Sequence, residues 1–436
     1  MPQRFASLAE WLAYFETLHP KKIDMSLDRI RVILDALGLV PPSYTVITVG
    51  GTNGKGSCVA ILESIYRAAG YRVGAFTSPH LVRFNERIRF DGRDATDAEL
   101  VELFESIDAS LGSVTLSYFE ASAVAALLCF ARRRADVAVL EVGMGGRLDA
   151  VNALDADAAL IASIDLDHTD WLGPDRDAIG REKAGIMRPG RPVVVGDFDP
   201  PASLGAYAAK IGARMLAIGR DFRAVPHARE WRFEAESGRT HDALPFVPFG
   251  GEIQAANMAA CVALVDALED KVPVPDDALR AGLASAQLRG RTERHVFDGV
   301  EWVFDVAHNP SAARVLRQSI EPQAEAQRPS RTLAVFAAME DKDLDGVLAP
   351  FARLVDRWHV SKPDSERGAP LESVAKTLAA LGASEPALHR DVAAACRAAA
   401  EEARPGERVV VFGSFYTVGP ALEALRLYST PSAVGD

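Results

Sequence analysis

The segment Val46-Ile47-Thr48-Val49-Gly50-Gly51-Thr52-Asn53-Gly54-Lys55-Gly56-Ser57 constrains the fold of this chain more than any other. It reads as a buried strand, a glycine-rich turn and the start of a helix. Glycines let backbone N–H groups approach a bound anion, the helix N-terminus adds positive potential, and Lys55 reaches the β and γ oxygens of a nucleoside triphosphate. Two positions depart from the usual G-x-x-x-x-G-K-[ST] form. Val49 stands where the first glycine is expected, and Gly56 separates Lys55 from Ser57. A plain glycine turn is the competing reading, and the strand before and helix after favour a phosphate loop. The segment points to ATP or GTP without specifying a reaction.

Around this loop, short apolar β-branched runs alternate with longer helical patterns. Strands are expected at Tyr44–Gly50, Tyr71–Thr77, Val137–Val142, Ala158–Ile164, Pro192–Gly196 and Arg214–Ile218, with helices at Lys55–Ala69, Asp97–Ser110 and Ser117–Arg134. The strands are continuously apolar rather than alternating, as in a parallel sheet covered on both faces. That is an α/β pattern of the doubly wound kind. Residues 226–251 break the rhythm, with Trp231, Phe233, Phe246 and Phe249 among Pro, Gly and charges. A hairpin or pair of irregular strands is expected there, before a helix at Ile253–Leu268. A second α/β series follows at Glu301–Val306, Thr332–Ala337, Trp358–Ser361 and Arg408–Gly413. The basic, glycine-broken run Leu288-Arg289-Gly290-Arg291-Thr292-Glu293-Arg294 lies between the two series and is read as their boundary.

A chain of 436 residues is long for one core and fits about two domains. Its net charge of −12 argues against a general nucleic-acid or anionic-membrane surface. Cys58, Cys129, Cys261 and Cys396 are scattered without CxxC spacing, so neither a disulfide framework nor a structural zinc site is expected. The N-terminal MPQRFASLAEWLAYF reads as an amphipathic helix rather than a leader. The most apolar run, Ala121 to Ala131, is about half of what spans a bilayer. The compartment is read as the cytoplasm.

Three further segments bear on chemistry. Val137-Ala138-Val139-Leu140-Glu141 ends a buried strand in a carboxylate, where a doubly wound sheet presents groups to ligands. Glu141 there suits Mg²⁺, which takes hard oxygen donors; a merely solvated strand-end carboxylate is the alternative. Gly143-Met144-Gly145-Gly146-Arg147-Leu148-Asp149 lacks the last glycine of a dinucleotide fingerprint and reads as a tight loop bringing Asp149 near a ligand. Asp165-Leu166-Asp167-His168-Thr169-Asp170 follows the strand ending at Ile164 and sets a histidine among carboxylates. His168 is either a metal ligand oriented by neighbouring acids or a structural histidine.

Together these segments resemble the Mur ligase superfamily and, within it, the dihydrofolate synthase/folylpolyglutamate synthase family. The resemblance covers nearly the whole chain. It also rests on Thr77-Ser78-Pro79-His80-Leu81, Ser117-Tyr118-Phe119-Glu120, Leu140–Asp149 and Leu166-Asp167-His168-Thr169-Asp170-Trp171-Leu172-Gly173. Arg181-Glu182-Lys183-Ala184-Gly185-Ile186, Leu288-Arg289-Gly290-Arg291 and Phe304-Asp305-Val306-Ala307-His308-Asn309-Pro310 complete it. The resemblance implies a P-loop ATPase-like domain with a mostly parallel sheet (1–287, of the Mur ligase central type), a linker (288–295) and a smaller Rossmann-like C-terminal α/β domain (296–436). It implies that Thr52, Asn53, Gly54, Lys55, Gly56 and Ser57 cradle the ATP phosphates, with Asn257, Arg291 and Asp305 as further nucleotide contacts. Ser78 and Glu141 would hold one Mg²⁺ and His168 a second, and Lys183 matches a lysine that carries a carbamate. Lys55, His168, Lys183 and His308 take the catalytic roles. Ser117, Phe119, Asp149 and Ala150 match positions near the pterin of dihydropteroate. Ser117 stands where Thr is common, and Val151 where Thr often precedes Asn.

The implied reaction is carboxylate activation by ATP, through an acyl phosphate that the amine of L-glutamate attacks. Dihydropteroate and tetrahydrofolates are the implied acceptors, and closure between the domains would complete the site. A peptidoglycan Mur ligase usually carries a full domain before the loop, whereas 50 residues precede Gly51 here. A P-loop switch protein needs no second α/β series, and a nicotinamide oxidoreductase fails on the missing fingerprint. Lys183 is expected on an inward-facing helix, beside Ile179, Ile186 and Met187. With no amphipathic helix left unassigned, a monomer is expected.

Overall fold

The computed structural model describes residues 4–21, 26–227, 229–250, 254–321 and 329–428. The chain divides into two compact units, one of Met1–His80 and Phe84–Gln287, the other of Leu81–Arg83 and Leu288–Asp436. Each has its own mostly parallel sheet.

In the first unit, helices α1 (Leu8–Leu18) and α2 (Asp28–Ala36) precede the phosphate-loop strand β1 (Thr45–Gly50) and helix α3 (Lys55–Ala68). Then come β2 (Val73–Phe76), an antiparallel pair β3 (Ile88–Phe90) and β4 (Arg93–Asp94), and helices α4 (Asp97–Asp108) and α5 (Tyr118–Arg132). Strands β5 (Val137–Glu141) and β6 (Ala158–Ile161) are followed by a short α6 (Thr169–Leu172), α7 (Arg176–Ala184), β7 (Pro192–Val195), α8 (Ala202–Ile211) and β8 (Arg214–Ala217). The sheet order is β4-β3-β2-β5-β1-β6-β7-β8. Successive strands pair parallel from β2 to β8. The strands β1, β5, β6 and β7 are almost wholly buried, which is why they read as unbroken apolar runs. Each fully buried Val, Leu or Ile stabilises such a core by about 1.5–3 kcal/mol.

Because β1 lies between β5 and β6, the chain leaves it towards one side and later returns to the other. Such a switch point opens a crevice at the carboxyl ends of adjacent strands. The register sets Val49 beside Glu141 and Gly50 beside Ile161, so the phosphate loop, Glu141 and the segment after β6 start from one level.

Helix starts are specified locally. Ser7 with Glu10, Thr96 with Glu99 and Ser117 with Glu120 form capping boxes that satisfy otherwise unpaired N–H groups. The hairpin or pair of irregular strands expected within 226–251 is, among the described residues, a three-stranded antiparallel sheet of β9 (Phe222–Pro226), β10 (Glu230–Ala235) and β11 (Thr240–Pro245). Trp231 and Phe233 are its buried alternate positions. Helix α9 (Ala255–Ala267) starts after Ile253, which lies outside the described residues, and α10 (Asp276–Ser285) closes the unit.

The second unit opens with β12 (Glu293–Phe297), antiparallel to β13 (Val300–Asp305). Residues 293–295, taken above for linker, are therefore edge strand. Helix α11 (Pro310–Ser319), β14 (Thr332–Phe336), α12 (Leu344–Leu348) and β15 (Arg357–Ser361) follow. The chain continues through α13 (Leu371–Ala380), β16 (Ala387–His389), α14 (Val392–Glu402), β17 (Arg408–Phe412) and α15 (Phe415–Ala424). The order is β12-β13-β17-β14-β15-β16, parallel from β13 onward. All four cysteines are buried and free. Among the described residues no helix is long and apolar enough to cross a membrane.

Candidate active site

The phosphate loop is built against the segment that follows β6. The Thr52 N–H donates to the Ser163 carbonyl at 2.6 Å, and the Ser163 hydroxyl donates to the Asn53 carbonyl at 3.1 Å. The Thr52 hydroxyl donates to the Asp165 carbonyl at 3.0 Å, and the Asp165 N–H returns a 3.0 Å bond to that hydroxyl. Gly54, the residue before α3, has φ +86°, and a Cβ there would lie 2.8 Å from Asn257 Oδ1. Only glycine fits both the backbone angle and the space. Asn257, on α9, donates to Gln254 Oε1 at 2.7 Å and accepts from Cys58 Sγ at 3.6 Å. The first N–H groups of α3 thus face the crevice with the positive end of the helix dipole behind them.

Two lysines meet at one atom of this loop. Lys55 Nζ donates to the Gly51 carbonyl at 3.0 Å and to the Thr52 carbonyl at 3.1 Å. Lys183 Nζ donates to the same Gly51 carbonyl at 2.8 Å. Lys183 is 3% exposed, on the inner face of α7 with Ile179. Burial, then repulsion from Lys55, brings its pKa down to about 7, against the pull of Asp167 and Asp149. Near neutral pH, Lys183 is therefore an amine that can bear a lone pair.

Glu141, 5% exposed, accepts from the Ser78 N–H at 3.2 Å, and a Cβ on Gly56 would sit 3.8–3.9 Å from its carboxylate oxygens. The carboxylate therefore overlies the first turn of α3, next to the end of β2. His168 departs from its expected place. Strand β6 stops at Ile161, so His168 lies on the following loop, exposed, with φ +51°, as the residue before α6. Its N–H donates to Asp167 Oδ1 at 2.9 Å. Among the described residues no three His, Cys, Asp or Glu side chains converge as a metal cluster. A hard-oxygen pair such as Ser78 and Glu141 nonetheless fits Mg²⁺, which takes one or two carboxylates and completes its shell with phosphate oxygens and water.

The Gly143–Asp149 loop is closed on its own last residue. Asp149 Oδ2 accepts from the N–H groups of Gly143 (2.9 Å) and Met144 (3.0 Å), and Oδ1 from that of Val151 (3.1 Å). Burial raises its pKa to about 6 against these bonds. With these bonds Asp149 braces the loop. Ala150, 5% exposed, begins the short turn that Asp149 caps. Ser117 likewise has a local task as the cap of α5: its hydroxyl accepts from the Glu120 N–H at 3.3 Å. Arg29 fixes Glu120 at 2.9 Å. Phe119 packs against the loop, with Gly143 so close under its ring that a Cβ there would be 2.5 Å from Cζ. Asn152 was missed. Its Nδ2 donates to the carbonyls of Arg147 and Gly185, both at 3.0 Å, tying the loop to the end of α7. A polar residue inside the apolar run Ala150-Val151-Asn152-Ala153-Leu154 was the available signal.

In the second unit, Asp305 at the end of β13 accepts from the N–H groups of Thr292 and Ala307, both at 2.8 Å. Burial raises its pKa although Arg291, 3.9 Å away, opposes the shift. Arg291 also lies over the Phe415 ring, 5.9 Å from its centroid. His308 Nδ1 is 2.8 Å from the Val306 carbonyl, so that nitrogen carries a proton. Arg291, Asp305 and His308 thus gather at the carboxyl end of β13.

Comparison with known proteins agrees with this layout. The Mur ligase middle domain model matches residues 49–265, and the Mur ligase, glutamate ligase domain model matches residues 290–415. The chain is 40% identical over 425 residues to the dihydrofolate synthase/folylpolyglutamate synthase of Escherichia coli, covering 97% of each chain. Escherichia coli FolC in complex with DHPP and ADP superposes with a TM-score of 0.89 at 39% identity, over 98% of this chain and 99% of that one. A bifunctional folylpolyglutamate synthase/dihydrofolate synthase crystallised with Mn, AMPPNP and L-glutamate gives 0.88 at 38% identity, over 98% and 99%.

Proposed function

The chain belongs to the dihydrofolate synthase/folylpolyglutamate synthase family of Mur ligases, and on that premise we propose that it joins L-glutamate to dihydropteroate and to tetrahydrofolates. It is an ATP-dependent ligase, acting in this reading as a cytoplasmic monomer. The observation that carries the proposal is the meeting of Lys55 and the buried Lys183 on the Gly51 carbonyl inside a phosphate loop. A simple nucleotide switch needs the first lysine and has no use for the second.

In the proposed reaction the substrate carboxylate attacks the γ-phosphorus of ATP. The bond to the β-γ bridging oxygen breaks and ADP leaves. The glutamate amine then attacks the acyl phosphate carbon, phosphate leaves, and a proton is released. Most of the work is alignment and charge stabilisation. Thr52, Asn53, Gly54, Gly56 and Ser57 surround the phosphates, and Lys55 turns from its loop carbonyls to the transferring group. Asn257 holds the loop from α9, while Arg291 and Asp305 are assigned to the nucleotide and His308 to the incoming amine. Phe119, Ala150 and the Asp149-braced loop form the pterin side, with Ser117 setting the start of α5.

Ser78 and Glu141 would hold one Mg²⁺, and His168 with a carbamate on Lys183 a second; bound there, the cations neutralise phosphoryl charge. The neutral Lys183 amine forms the carbamate by attacking CO₂ and losing one proton, which leaves an anionic oxygen donor where an ammonium would otherwise stand. Its burial supports this reading. The test is ADP release by the purified chain with MgATP, L-glutamate and dihydropteroate, with dihydrofolate identified by mass. Turnover requiring all three is the expected result, and ATP hydrolysis indifferent to the pterin would overturn the proposal.

A further inference from the structure

Helix α7 carries Lys183 towards Gly51 on one face, and on another it lines a cleft that the reaction above does not use. Ala178, Arg181 and Glu182 stand three and four positions apart, so they share one stripe of the helix. Together with Arg147, Trp171 and Tyr207 they line a cavity of about 500 Å³, within the range of small-molecule sites.

Three features of this open cleft bear on its occupant. First, Arg147 is held in place. Its Nη2 and Nε lie 2.9 and 3.2 Å from Glu182 Oε1, and its N–H donates to the Glu182 carbonyl at 2.9 Å. At the level of the backbone, Gly185 presses on it so closely that a Cβ there would be 2.5 Å from Arg147 Cα. Second, Arg181 is exposed and enters no ion pair among the described residues. The cleft therefore has two guanidinium groups against one carboxylate, in a chain whose net charge is −12. Third, Trp171 leaves 52% of its surface exposed beside these cations, and Tyr207 stands with it. A guanidinium without a partner next to an uncovered aromatic face selects a carboxylate on an apolar or planar stem.

We infer that this cleft is a subsite for the carboxylates of the γ-glutamyl tail of a folate substrate, with Arg181 as the principal anchor and Trp171 as the wall. The inference rests on the folate ligase reading. On this inference a tail of three glutamates supplies carboxylates for Arg181, and a substrate without a tail supplies none beyond the reacting one. Glu182 orients Arg147 and is a positioning residue.

The test is calorimetric titration of the full chain, with ADP bound, by pteroyl-tri-γ-glutamate and by tail-less pteroate. Wild type should prefer the triglutamate. Arg181→Gln should weaken triglutamate binding about tenfold and leave pteroate unchanged. Trp171→Ala, also at an exposed position, should act in the same direction. A wild type without preference for the tail overturns the inference, as does an Arg181→Gln that loses both ligands equally or neither. Failure of the folate ligase reading shows separately, as absent pterin-dependent ADP release.

Discussion

Gly54→Ala isolates what the shape of the phosphate loop contributes to nucleotide affinity. At φ +86° an L-residue costs about 1–2 kcal/mol in backbone strain. The new Cβ would also stand 2.8 Å from Asn257 Oδ1, 3.1 Å from its Nδ2 and 3.2 Å from Ala162 Cβ. Asn257 must swing away and give up its 2.7 Å bond to Gln254, worth about 1 kcal/mol. The strained loop relaxes without nucleotide and must be forced back when nucleotide binds, so about 2–3 kcal/mol is drawn from binding. At about 1.4 kcal/mol per decade, ADP affinity falls roughly 30- to 150-fold. Calorimetric titration with ADP measures this directly. Gly112→Ala is the control, since Gly112 has φ +54° with nothing within 4 Å of the new Cβ. It should lower thermal stability and leave ADP affinity alone. A Gly54→Ala chain binding ADP within threefold of wild type would refute the reasoning, and so would equal losses in the control.

Lys55→Ala should cut turnover by orders of magnitude with little change in melting temperature, because its bonds are to loop carbonyls; near-normal turnover would remove ATP chemistry from this loop. Lys183→Ala should lose activity that added short-chain carboxylates restore in part, and ¹³CO₂ should give a carbamate NMR signal in wild type that the variant lacks. A wild type with no such signal argues against the carbamate. His241 lies 2.8 Å from Asp276 and 3.0 Å from Asp266; burial lowers its pKa, but the two carboxylates together outweigh burial and raise it. A folded-state pKa above the unfolded one gives stability that is complete below the ordinary histidine range and lost as pH rises through the raised value. The difference in urea midpoint between wild type and His241→Gln should accordingly shrink from pH 6 to pH 9, and a difference that grows would reverse the assignment.

Much of the first sheet was legible because continuous burial leaves a continuous apolar signature, as in Val137–Glu141 and Pro192–Val195. The edges were not. Strands β3 and β4 are short and partly exposed, and their one cue was Asp91-Gly92, both at positive φ in a tight turn. Strand β12 alternates half-buried with exposed residues along one edge, so Glu293-Arg294-His295 resembled a charged linker. At the site, residues whose chemistry is intrinsic were readable: a lysine at a helix start, a carboxylate at a strand end. Residues whose task depends on partners remote in sequence were not. The local bonds of Asp149 were not legible, whereas the Ser117-Tyr118-Phe119-Glu120 spacing already announces a capping box. The two arginines of the α7 cleft gave no signal, because Arg147 and Arg181 meet only through the fold.

The braces on the phosphate loop come from far downstream, which has a consequence for synthesis on the ribosome. Thr52 is pinned by Asp165, 113 positions later, and the tip of the loop by Asn257, 199 positions after its other partner Cys58. At about 5–20 residues per second, the second interval takes on the order of 10–40 s. For the first part of that time the growing chain displays a glycine-rich turn with neither brace, and afterwards it has the Ser163–Asp165 side alone. Nucleotide competence therefore arrives late, when α9 emerges and packs, and the nascent protein passes through most of its length unable to occupy itself with ATP.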